Sequence, residues 1–404
     1  MSSIRRRPFV VLAGIIALAL SVTLVRQTPA EDPADDSSAG IASPAAAPAT
    51  PTPAEERIRA AERAVGMKPT PDAYNQLALA YARRARETAD PNYYARAEEA
   101  IESSLRLAPD NFEALKMRAW VLLGKHEFVA ARELARMLNK RMPDDLMVYG
   151  YLTDANVELG DYQEAEEACQ WMLDLRPGNI PAFTRAAYLR ELFGDLEGAI
   201  ELMSKAYDRS PPYEVEDRAW LLTQLGHLAR QAGRLGEAEQ VLTEALKLFP
   251  NYHYALGELG RVRTAQGKHA QAAALLKQRY DAAPHPENLY ELARALDKAG
   301  RRAEAKAAYA TFEKQARAES EGWDNANREL IFYYTDVAKR PVEALTIATR
   351  EFARRQDVYT LHAYAWALYA NGDRAKARSV MQRALDVGVV DPEIRAHAKA
   401  IGLE

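Results

Sequence analysis

The sequence predicts an all-α solenoid of stacked helix-turn-helix units, on three observations. Prolines recur at a fixed interval: Pro109, Pro143, Pro177 and Pro211 are each 34 residues apart, and Pro250 to Pro284 is 34 again. Alanine and glycine hold fixed places ahead of each of these prolines. The 404-residue chain is rich in the helix formers Ala, Leu, Arg and Glu, and it has no long stretch of alternating apolar and polar residues. A unit of two amphipathic helices cannot bury its apolar face alone, so neighbours must stack into one continuous array. Such an array grows by adding units, and one extended domain accounts for the length.

The elements follow in order from the N-terminus. Met1 to Pro8 carries Arg5, Arg6 and Arg7, and Phe9 to Val25 follows as 17 apolar or small residues without a charge. At 1.5 Å per residue that run spans roughly 26 Å, a little under a hydrocarbon core of about 30 Å. Residues 1–27 are read as an export signal retained as a membrane anchor, with a cleaved signal peptide, soluble in the periplasm or secreted, as the alternative. Ala17-Leu18-Ala19 lies inside the apolar run and Val25-Arg26-Gln27 makes a poor cleavage site, which favours retention. Arginines before the run and acids after it place the N-terminus in the cytoplasm and the rest in the periplasm, as a single-pass inner-membrane protein. Arg6-Arg7-Pro8-Phe9-Val10 resembles a twin-arginine export motif, although any export signal carries basic residues there.

Residues 28–53 are Pro, Ala, Ser, Thr and Asp with almost no large apolar side chain, and they form a flexible, partly extended linker. Residues 54–70 are expected to be a capping helix, residues 71–392 the repeat array, and residues 393–404 a solvating helix at its end. The net charge of -4 includes Arg5, Arg6, Arg7 and Arg26, so the remainder of the chain stands near -8. A mildly acidic body argues against a nucleic-acid binder. Cys169 is the only cysteine, which excludes an intrachain disulfide, a Cys-rich zinc site and a lipid-modified cysteine after the apolar run.

With each closing proline set at position 32 of its unit, position 20 is Ala131, Ala165, Ala199, Ala238 and Ala272. A small residue there lets the second helix cross close to the first. Position 15 is Gly160, Gly194, Gly233 and Gly267, where the chain leaves the first helix through a left-handed conformation. Position eight is small at Ala119, Ala187, Gly226 and Gly260.

On these residues, and on segments such as LGDYQEAEEACQWMLDLRPGN from Leu159, the chain resembles the tetratricopeptide repeat family. The resemblance covers about nine units and implies a right-handed α-solenoid. It implies little about function, because the family is united by architecture. Several irregularities stand out. The first unit is expected to have a longer inter-helix turn at Glu87 to Tyr94, and five extra residues near Pro212 to Glu216 lengthen the connection to the fifth. Asn325 to Gln356 forms a degraded unit in which Phe332, Tyr333 and Tyr334 crowd the first helix.

No P-loop, GxSxG, HExxH or dinucleotide glycine pattern occurs, and the array leaves little room for a second domain, so no enzyme activity, metal or cofactor is expected. Cys169 falls at an apolar position and reads as a packing residue. The resemblance implies that positions two, five, nine and twelve of each first helix face the concave side. There the chain carries Trp120, Asp154, Tyr188, His227, Arg261, Arg294 and Trp366 at position nine, and Trp220, Tyr254 and Tyr359 at position two. Lys116, Tyr290 and His362 stand at position five, Arg230 and Tyr369 at position twelve.

An aromatic groove with a basic centre at His227, Arg230, Arg261 and Arg294 suits a peptide or protein with acidic or C-terminal carboxylate groups. The same residues can instead pack one unit on the next. On the groove reading, replacing Arg261 and Arg294 with glutamate abolishes partner capture and leaves melting unchanged. The function expected is a non-catalytic scaffold at the membrane. The alternatives are a self-assembling array, favoured by exposed apolar residues around Tyr333, and an accessory subunit of a cell-envelope or secretion complex.

Overall fold

The computed structural model describes residues 52–322 and 325–403. The anchor at 1–27 and nearly all of the linker at 28–53 lie outside the described residues. Among the described residues no helix is long and apolar enough to cross a membrane.

After α1 (Pro53–Met67) come nine helical pairs: α2 (Pro71–Thr88) with α3 (Asn92–Leu107), α4 (Phe112–Gly124) with α5 (Phe128–Arg141), α6 (Leu146–Leu159) with α7 (Tyr162–Leu175), α8 (Ile180–Leu192) with α9 (Leu196–Arg209), and α10 (Val215–Gln231) with α11 (Leu235–Leu248). The series continues with α12 (His253–Ala265) and α13 (His269–Ala282), α14 (Pro286–Lys298) and α15 (Arg302–Glu319), α16 (Asn327–Phe332) and α17 (Pro341–Arg354), and α18 (Val358–Ala370) and α19 (Arg374–Val387). The last helix, α20 (Pro392–Ile401), closes the array.

Local chemistry explains the repetition. Two residues after the closing prolines, Asn111, Asp145 and Asn179 cap the next first helix, accepting from the backbone N–H of Ala114, Val148 and Ala182 at 2.8, 3.0 and 2.7 Å. The alanines at position 20 are fully buried in the five aligned units, where the two helices of a pair meet. Position eight is small for the same reason, since a Cβ on Gly226 would lie 2.5 Å from Cγ of the buried Leu242.

The irregular units differ from expectation in an informative way. The extra residues of the first unit do not widen its turn; α2 runs on to Thr88, and only Ala89 to Pro91 separate it from α3. Part of the insertion before the fifth unit likewise becomes helix, so that α10 has 17 residues where α8 and α12 have 13. In the degraded unit α16 passes into a π-helical segment, Tyr333–Val337, with the Ala338 N–H donating to the Tyr333 carbonyl at 2.8 Å. Its register is fixed by Lys339, which takes the left-handed place of the turn glycine (φ 54), and by Ala344, fully buried at the helix crossing. Phe332, Tyr333 and Tyr334 are buried rather than exposed, because they pack into the core with Phe312 and Tyr309, which removes the observation that favoured self-assembly.

The array coils tightly enough for distant units to touch along two seams. At the first, α1 and the extended end of α2 meet the extended start of α10: Arg57 Nη2 of α1 lies 2.7 Å from Glu214 Oε2, and Arg86 of α2 pairs with both Glu216 and Asp217. At the second, the third and fourth units meet the eighth and ninth. The Gln356 N–H donates to the Glu158 carbonyl at 3.0 Å and the Val358 N–H to the Tyr162 hydroxyl at 2.9 Å.

Candidate peptide-binding chambers

Coiling of the first helices leaves two large, half-open chambers on the inner side among the described residues. The first, of about 910 Å³, is lined by Trp120, Tyr151, Tyr188 and Trp220 with Met117, Met147 and Met203. Charged groups border it: Arg83, Arg86 and Asp217 from the first seam, and Arg185, Asp154, Glu158 and Glu191 from the third and fourth units. Trp120, Tyr188 and Trp220 are each half-buried, and neither Trp120 nor Trp220 donates its indole N–H to a protein group among the described residues. Burial, with Asp357 nearby, pushes the Glu158 carboxyl up to about 7.

The second chamber, of about 590 Å³, is lined by His227, Arg230, Arg261, Tyr290, Arg294, Tyr359 and His362. Seven of the twelve candidate residues therefore meet in one place, and three others meet in the first chamber. The remaining two line neither. Tyr254 stacks beside His253, with ring centroids 3.9 Å apart, and Trp366 donates its indole N–H to Asp336 at 2.8 Å while its ring lies parallel to His397 at 3.7 Å.

The basic stripe is not free to receive a partner's carboxylates, because the protein supplies its own. His227 bridges Glu191 at 2.7 Å and Glu258 at 3.3 Å. Arg230 Nε donates to Glu258 at 3.0 Å, and Arg261 pairs with Glu258 and, through Nε at 3.0 Å, with Glu291. Arg294 reaches across the array to Glu393 of α20 at 2.8 Å. Burial disfavours charge on His227, but Glu258 and Glu191 outweigh it and hold the imidazolium up to about 9. Burial would raise the Glu258 carboxyl, yet Arg261, His227 and Arg230 hold it well below the usual range. His362 is buried and shares a 2.7 Å contact with His397; burial pushes it down to about 3.

Four of the position-nine contacts follow a rule that residue-by-residue reading of the groove missed, while Arg294, paired with Glu393, stands outside it. A position-nine side chain meets position six of the following unit: Asp154 with Arg185, His227 with Glu258, Arg261 with Glu291, and Trp366 with His397. The pairs are separated by about one repeat, so complementary charges at that offset were a legible signal. Arg83 and Arg86 had none, since they join units four repeats apart. Cys169 is 2 % exposed, and burial pushes its thiol up to about 12, as suits a packing residue.

The described part is thus a helical repeat scaffold whose inner charged groups are largely paired with one another and whose inner apolar surface stays partly uncovered. Tetratricopeptide repeat models match it at residues 152–214 and 229–287. Among solved structures, the human IFIT1 dimer with PPP-AAAA aligns at 13% identity and TM-score 0.50, over 82% of this chain and 94% of that one. A monomeric IFIT1 mutant with m7Gppp-AAAA aligns at 16% and 0.54, over 83% and 76%. The Cut9–Hcn1 hetero-tetramer of APC/C aligns at 14% and 0.47, over 81% of this chain but only 55% of that one, so this chain spans about half its length. Likeness at these identities shows the fold alone. No curated protein matches the chain, and neither repeat model indicates a catalytic family.

Proposed function

We propose that this protein is a non-catalytic scaffold, held in the inner membrane by its N-terminal segment with the repeats in the periplasm, that seats a peptide segment of an envelope protein in the first chamber. The observation that carries the reading is the aromatic and methionine lining of a space of about 910 Å³. A concave, mostly apolar surface of that size, with a few charged groups at its edge, is the usual form of a binding site. Rigid aromatic anchors supply most of the energy in such sites. The second chamber fits a peptide less well, because an incoming carboxylate must displace Glu258, Glu291 or Glu393. An acidic preference, if the partner has one, belongs with Arg83, whose contact to Glu214 is a loose 3.7 Å. Nucleic acid has no place in this reading, since the body is acidic and its inner cations are paired.

A photo-crosslinking residue at Trp120 or at Trp220 should capture the same partner peptide in intact cells, and one at the exposed Trp171 should not. Trp220→Ala is expected to weaken that capture by about 30-fold, the loss of roughly 2 kcal/mol typical of an interface anchor. Crosslinks from Trp171 alone would overturn the chamber assignment. Protease added to spheroplasts should remove the repeats and spare the anchor; protection of the repeats would overturn the periplasmic orientation.

A further inference from the structure

The two seams are built differently, and the difference assigns them different roles. Across the second seam a single apolar cluster contains Val157, Leu189 and Leu192 from the third and fourth units with Val358, Leu361 and Val389 from the ninth. Backbone hydrogen bonds reinforce it. Across the first seam, among the described residues, no apolar cluster contains side chains from both sides: the cluster around Leu77, Tyr81 and Ile101 stays within α1 and the first two units, and those around Leu222 and Leu228 stay within the third to sixth.

What joins the first seam is charge. Arg57 meets Glu214 at 2.7 Å, Arg83 meets the same carboxylate at 3.7 Å, and Arg86 holds Glu216 and Asp217. Glu216 is steadied from behind by the Tyr252 hydroxyl, which donates to it at 2.6 Å, and His253 Nε2 lies 3.5 Å from the Arg86 carbonyl. The side chains of Arg57, Arg83, Arg86 and Asp217 are each about a third exposed, and those of Glu214 and Glu216 about a fifth, at 22% and 17%. Pairs that keep this much contact with solvent are weakened by salt, whereas buried apolar contact is not.

Three of these residues also border the first chamber: Arg83, Arg86 and Asp217. We infer that the first seam is an ionic gate, a clasp of α1 and α2 on α10 that parts to admit a segment to the aromatic chamber while the second seam stays shut as a permanent wall. The gate rests on the chamber reading for its purpose, but not for its existence. It also accounts for both irregular units at once. The additional helical residues at the end of α2 bring Arg86 forward, and those at the start of α10 bring Glu216 and Asp217 to meet it.

The test is a distance measurement on the full chain in detergent, made without any partner. Spin labels on Arg59→Cys and Glu237→Cys report across the first seam, and labels on Gln163→Cys and Gln382→Cys report across the second; all four sites are exposed and Cys169 is buried. Raising salt from about 0.1 M to 1 M shortens the screening length from about 10 Å to 3 Å. The first-seam distribution should then broaden and lengthen beyond its low-salt width, with the second unchanged. The neutral triple variant Glu214→Gln, Glu216→Gln, Asp217→Asn should show the open distribution already at low salt. A first-seam distance unmoved by both salt and the variant would overturn the gate, as would equal lengthening of both seams. If the gate opens and the chamber crosslinks nothing, the proposed function fails and the gate stands. If crosslinking succeeds with the first seam unmoved, the reverse holds.

Discussion

Glu258→Ala is expected to be among the most destabilising single substitutions in the array, costing about 3–5 kcal/mol, the range for removing one partner of a buried charge network. Glu258 is 6 % exposed and meets His227, Arg230 and Arg261, so its loss leaves three cations in a confined space with Glu191 and Glu291 to share. Urea unfolding followed by helical circular dichroism measures the cost. Arg261→Glu should also lower the melting temperature, because it sets a third carboxylate beside Glu258 and Glu291; the expectation that charge reversal leaves melting untouched does not survive this geometry. The pH dependence follows from the signs. His227 is held above its unfolded value, so its contribution is fully present below about pH 6.5 and is lost as pH rises through about 9. The whole loss is on the order of 3 kcal/mol, at 1.36 kcal/mol per unit. Glu258 is held low, so its contribution is present at neutral pH and is lost only as acid titrates it far below the usual carboxylate range. His227→Gln should flatten the alkaline decline. An alkaline decline of equal size in wild type and His227→Gln would show that the network does not hold a charged imidazole.

How much of this was legible in the sequence can be judged position by position. The helical pairs were, because the caps at Asn111, Asp145 and Asn179, the turn glycines and the crossing alanines are local requirements repeated at one period. The inner placement of ten of the twelve candidate residues was also legible, since helix periodicity fixes which face a side chain takes. What the groove residues touch was only half legible. Pairing of position nine with position six of the next unit is a nearest-neighbour effect, and a charge comparison at that offset reveals it. The seams were not legible at all. Contact between units four or five apart depends on small rotations summed over every intervening interface, and no local residue encodes that sum. The insertions at Glu87 and Pro212 were visible as irregularities, but their meeting partner was not.

The second seam offers the sharper test of that closure, because two glycines of the same repeat position make it and two others do not. Gly160, Gly194, Gly233 and Gly267 all turn the chain at positive φ, between 74 and 82°. A Cβ on Gly233 or Gly267 would meet nothing within 4 Å, whereas on Gly160 it would lie 2.7 Å from the Gln356 carbonyl oxygen and on Gly194 2.6 Å from that of Gly388. Gly233→Ala should therefore cost only the left-handed penalty of about 1–2 kcal/mol. That penalty is tolerable here, since His126 and Lys339 occupy equivalent turns at φ 57 and 54. Gly160→Ala carries the same penalty and a clash with backbone, which cannot swing aside as a side chain would, adding about 1–3 kcal/mol. Hydrogen exchange distinguishes the two. In Gly160→Ala the amides of Gln356 and Val358, which donate across the seam to Glu158 and Tyr162, should exchange faster; in Gly233→Ala they should not. Equal cost and unchanged exchange would mean that the eighth unit does not rest on the third in solution. The seam also bears on binding, since Glu158 both accepts from Gln356 and lines the aromatic chamber. Loosening it shifts one wall of the chamber, so Gly160→Ala should weaken partner capture while Gly233→Ala, remote from that wall, leaves it intact.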